Sequence, residues 1–89
     1  MKGVITVLGC DKIGIIAYIT GILAKANVNI LDISQTIRQN IFSMIMLVDL
    51  KDMNCEFSEL SERLGKAGKE LGVEARLQRE ETFTSMHRI

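Results

Sequence analysis

Asp11, Gly14 and Asn29 have the residue types and the order needed to hold a zwitterion. The first two precede a segment whose apolar residues fall at helical spacing, and Asn29 follows it. The unpaired N–H groups of a helix N-terminus favour a carboxylate, and an acidic side chain in the preceding turn favours an ammonium. A nearby amide offers both a donor and an acceptor. The chemistry would be recognition of a free amino acid rather than its turnover. A simpler reading gives each residue a local duty: Asp11 caps the helix, Gly14 permits a close approach of backbone, and Asn29 opens an edge strand.

Other reactive groups do not converge. Cys10 adjoins the same turn, but a catalytic thiol needs a positioned base, and the single histidine, His87, stands near the chain end. A metal-carrying loop would show two closely spaced cysteines where Cys10-Asp11-Lys12-Ile13 has one, and Cys55 is isolated, so neither metal nor cofactor is expected. Lys plus Arg equals Asp plus Glu at 11 each, which leaves no net field to attract nucleic acid or an anionic membrane. No apolar run approaches the roughly 18 residues of a membrane span, and no export signal is evident, so the expectation is a cytoplasmic protein with free thiols.

The elements that must position Asp11 and Asn29 follow from periodicity. Gly3 to Leu8 is apolar on both alternating sets, as a central strand covered on both faces would be. From Gly14 the period becomes helical, through Ile15 or Ile16, Ile19, Ile22 or Leu23, and Ala26, and Asn27 suits a left-handed stop. Val28 to Gln39 and Ile41 to Leu50 are strands joined by a tight hairpin at Gln39-Asn40. The third strand has one wholly apolar set, Phe42, Met44, Met46, Val48 and Leu50. Its other set, Ile41, Ser43, Ile45, Leu47 and Asp49, is more apolar than a solvent face should be. Phe57, Leu60, Leu64, Ala67 and Leu71 mark a second helix, Gly72 stops it, and Val73, Ala75 and Leu77 define a last strand.

Strand, helix, strand, strand, helix, strand is the α+β ferredoxin-like βαββαβ arrangement: a four-stranded antiparallel sheet with two helices on one face. Strands one and three are central, two and four are edges. Residues 1–79 form the domain. Residues 80–89 form a tail whose Phe83, Met86 and Ile89 would make one apolar edge on a helical turn, expected to pack on the bare sheet face of its own or a neighbouring subunit. RNA-binding domains of this fold expose aromatics on the central strands, and here Phe42 sits in the core set.

A strip of small residues, Ala17, Gly21 and Ala24, lies on the first helix. It meets either the second helix, which offers Gly65 and Gly68, or the same helix of a second subunit. The second strand carries apolar residues on both alternations, Val28 and Ile30 against Leu31, Ile33 and Ile37, which an exposed edge does not normally show. A homodimer joined along that strand is expected.

DKIGIIAYITGILAKANVNILDIS resembles the ACT domain, a small-molecule regulatory module, and the likeness runs from Val4 to Leu77. The pattern, with the terminal MHRI, is similar to that of stand-alone bacterial and archaeal ACT proteins of unassigned function, and to the ACT domains of the glycine cleavage system repressor's accessory protein. The resemblance implies an amino-acid site between the loop after the first strand of one subunit and the start of the second strand of its neighbour. Carried onto this chain, that selects Asp11, Ile13, Gly14, Ile15 and Asn29. Many ACT domains have Asn at the Asp11 position and Pro before the glycine, so the implied ligand is left open, as is the alternative of a ligand-free assembly module. Either way the resemblance implies a regulatory protein and not an enzyme.

Overall fold

Where the apolar period changes from two to helical, the backbone changes with it. The computed structural model describes residues 1–10 and 14–81, and in them β1 (Lys2–Cys10) gives way to α1 (Ile15–Lys25), then β2 (Asn29–Arg38), β3 (Ile41–Asp49), α2 (Phe57–Leu71) and β4 (Glu74–Arg79). The strands are ordered β2-β3-β1-β4, all pairs antiparallel, so β1 and β3 are central as their apolar content predicts. Gln39 and Asn40 both have positive φ, the primed turn that lets a two-residue loop follow the twist of its strands. Asn27 is left-handed after α1, and Gly72 after α2.

Both helices cover one face. Ile5 and Val7 of β1, Phe42, Met44, Met46 and Val48 of β3, and Leu77 of β4 meet Ile15, Ile19 and Leu23 of α1 and Leu60, Leu64 and Ala67 of α2 in one cluster. Fully burying each large side chain contributes about 1.5–3 kcal/mol. The period left two choices open on α1, and the structure selects Ile15 and Leu23 for the core while Ile16 is exposed.

The close contact in this layer is α2 against β4. A Cβ on Gly68 would lie 2.7 Å from the Val73 carbonyl oxygen and 3.2 Å from the Ala75 nitrogen, whereas one on Gly65 would meet nothing. Gly68→Ala should therefore lower stability in urea by about 1–3 kcal/mol through overpacking, despite alanine's helix preference. Gly65→Ala should raise it by about 1 kcal/mol.

Two features depart from the sequence reading. The face of β1 turned away from the helices is covered only at Val4, since Leu8 on the same face is half-exposed. In β2 the register with β3 slips between Ile30 and Asp32. That bulge adds one residue, Leu31, so Ile30, Ile33 and Ile37 pair with Val48, Met46 and Phe42 and share the helix side rather than alternating across the sheet. The expected placement of the tail lies outside the described residues, which end at Glu81.

Candidate functional site

Gly14 sits just before α1 with φ of +89°, a conformation glycine adopts without strain, and its carbonyl accepts from the Tyr18 N–H at 3.0 Å. Among the described residues no side chain caps this end of the helix. The Ile15 side chain is in the core, so only its backbone N–H remains to meet a ligand. Asp11 and Ile13 lie outside the described residues.

Asn29 is exposed at the start of β2, opposite Asp49 of β3. Counting back from the hairpin turn would place it opposite Leu50; the bulge makes the difference. It borders two hollows. One, of ≈ 270 Å³, is polar and lined by Ala24, Asn27, Val28, Asn29, Asp49 and Asp52. Its shape is held by Asn27, whose Nδ2 donates to the Asp52 carbonyl at 2.9 Å, and by Asp49, whose Oδ1 accepts from the Lys51 N–H at 3.0 Å. Asp49 and Asp52 are not candidates from sequence, because it is the bulged register that sets Asp49 opposite Asn29.

The second hollow is an open groove of ≈ 550 Å³ between α1 and β2, where Ala17, Thr20, Gly21 and Ala24 face Val28, Asn29 and Ile30. The small-residue strip therefore lies along the open side of α1 and not against α2. A Cβ on Gly21 would find no atom within 4 Å, nor would one on Gly65 of α2, and Gly68 of α2 is pressed on β4. Past the groove, β2 carries Ile33 and Ile37 at 41 % and 60 % exposure. The link between the helices is instead polar: the Tyr18 hydroxyl donates to the Glu70 carboxylate at 2.5 Å, and that bond, with the nearby negative charge, holds the phenol above its usual pKa.

In one subunit the two halves of the site do not meet. Gly14 and Asn29 stand at opposite ends of α1, whose 11 residues span roughly 16 Å. Among the described residues no three His, Cys, Asp or Glu side chains gather to hold a metal, no helix is long and apolar enough to cross a membrane, and both cysteines are free.

The model of the family described as "ACT domain" matches residues 3–78. A UPF0237 protein of Methanocaldococcus jannaschii is 52% identical over 86 residues, covering 97% of this chain and 96% of that protein. Among solved structures, an ACT domain protein from Streptococcus pneumoniae superimposes with a TM-score of 0.81 at 37% identity, over 93% of both chains. A putative glycine cleavage system transcriptional repressor gives a TM-score of 0.72 at 20% identity, over 86% of this chain and 44% of that one, and there the likeness is one of fold. Since the match in sequence and the match in structure run through the same βαββαβ unit, this chain belongs to the ACT domain family, whose members are regulatory, non-catalytic modules.

Proposed function

We propose that this protein is a cytoplasmic sensor of a small amino acid and works as a homodimer joined along β2. The observation that carries this is the separation of Gly14 from Asn29 by the length of an α1 whose outer side is bare. A two-fold axis through the β2 edge sets two copies of α1 antiparallel, with Ala17, Gly21 and Ala24 in the seam. The N-terminal end of one helix then stands beside the C-terminal end of the other, where Asn29 begins the partner's second strand. Ile30, Leu31 and Ile33 at the edge are covered by the same pairing.

In that arrangement the ligand carboxylate meets the free N–H groups that follow Gly14, including that of Ile15, and Asp11 faces the ammonium. Asn29 of the other subunit completes the shell, and Ile13 borders it. A ligand bridging two subunits stabilises one arrangement of the pair over another, which is how a site without chemistry transmits a signal. Titration calorimetry with glycine, serine and other small amino acids tests this, the expected result being saturable heat at one site per chain. The small, largely apolar lining of the groove favours a second reading, assembly with no ligand, and a series with no heat and no melting shift selects it.

A further inference from the structure

We propose that the sheet face opposite the helices is a second self-association surface, on which two copies stack face to face about a two-fold axis parallel to the strands. The helices cover one face only, and on the other the central strands present Leu8, Ile41 and Ile45 at 49 %, 54 % and 45 % exposure, with Leu47 half-buried. These form an apolar stripe down β3 and β1. Among the described residues nothing covers this stripe, and an exposed apolar stripe on a small domain marks an interaction surface.

The charges beside the stripe indicate what covers it. Along β2, Arg38 stands at one end of the face and Asp32 towards the other. Along β4, Glu74 lies in the row of Ser43 and Leu8, and Arg76 in the row of Ile45 and Thr6. A two-fold axis parallel to the strands lays β2 of one copy over β4 of the other without reversing the rows. Arg38 then faces Glu74 of the second copy and Asp32 faces its Arg76, each one row away, about 7 Å along the strand and within an arginine's reach. Lys2 and Asp49, cross-strand neighbours in one subunit, fall opposite Asp49 and Lys2 of the other. Every named charge meets its opposite, and each contact occurs twice. The other two-fold, across the strands, would set Arg76 against Arg76. Among the described residues Arg76 pairs with Glu74, at 3.8 Å, with both side chains mostly exposed, so turning to the second copy costs it little. The stacked sheets would close at about 10 Å, the usual spacing of a sandwich.

The edge axis and the face axis do not intersect, so with the β2 edge also paired the contacts run on from copy to copy without closing; the face contact itself does not depend on the edge. Sedimentation equilibrium of the unmodified protein, Ile45→Arg and Gly21→Leu distinguishes the two. Ile45→Arg should reduce the assembly to the edge-paired dimer, and Arg38→Glu should lower the mass in part, with Glu74→Arg added to it restoring the mass. An unchanged mass in Ile45→Arg overturns the proposal. So does a lower melting temperature in Ile45→Arg without loss of mass, which would make the chain's own residues 82–89 the occupant. If Gly21→Leu leaves the mass unchanged while Ile45→Arg halves it, the edge pairing fails and the face contact stands.

Discussion

Gly21→Leu is expected to weaken the β2-edge dimer by at least tenfold in Kd while making the isolated subunit slightly more stable. The two effects have separate physical causes. Within one subunit a Cβ at Gly21 meets open space, so a larger side chain clashes with nothing, and replacing glycine inside a helix gains about 0.8–1 kcal/mol of helix propensity. In the seam, the leucine of each copy must fit where two helices approach over Ala17, Gly21 and Ala24. Overpacking costs about 1–3 kcal/mol per site, and the symmetry presents it twice, so a tenfold loss, about 1.4 kcal/mol, is a lower bound. Sedimentation at associating concentration should show less dimer, while melting at high dilution, where the subunit stands alone, should show a higher midpoint. Unchanged association would remove α1 from the interface. Lost association accompanied by a lower melting temperature at high dilution would show damage to the subunit instead.

The second large effect is on binding. Asp11→Ala and Asn29→Ala should each reduce amino-acid affinity roughly ten- to a hundredfold, the loss of a charged hydrogen bond worth about 1.5–3 kcal/mol. In the proposed dimer the two residues of any one site belong to different subunits, so mixing the variants provides a sharper test. After exchange half of the dimers are mixed, and each mixed dimer holds one site with both residues and one with neither. About a quarter of all sites should therefore regain full affinity. A site built within one chain would recover none. Should Asp11→Ala chiefly lower the melting temperature and leave binding intact, Asp11 has a capping role and the ammonium is held elsewhere.

Local patterns determined the elements and their order. Ile19, Ala26, Leu60, Leu64 and Ala67 fall at helical spacing and Phe42, Met44, Met46 and Val48 at strand spacing, because each element buries one face and that face imposes its own period. Gln39-Asn40 and Gly72 mark their turns because few residue types accept positive φ. The βαββαβ order then leaves one sheet with both helices on one side, and the strand order β2-β3-β1-β4 follows.

What the tertiary structure decided depends on register and on which surfaces remain bare. The bulge at Leu31 leaves only a change of parity in the sequence, from Val28 and Ile30 to Ile33 and Ile37, which an edge strand apolar on both faces shows equally well. Yet it brings Ile30 onto the helix side with Ile33 and Ile37 and sets Asn29 opposite Asp49, at the hollow that Asp52 also lines. Similarly, Ala17, Gly21 and Ala24 suit helix packing in either direction. Only the three-dimensional arrangement, in which Gly68 is pressed on β4 and Gly21 faces open space, assigns the strip to the outside of the subunit. The two ends of the candidate site are legible as residues, but the length of α1 that separates them within one subunit is a property of the folded helix and not of any side chain.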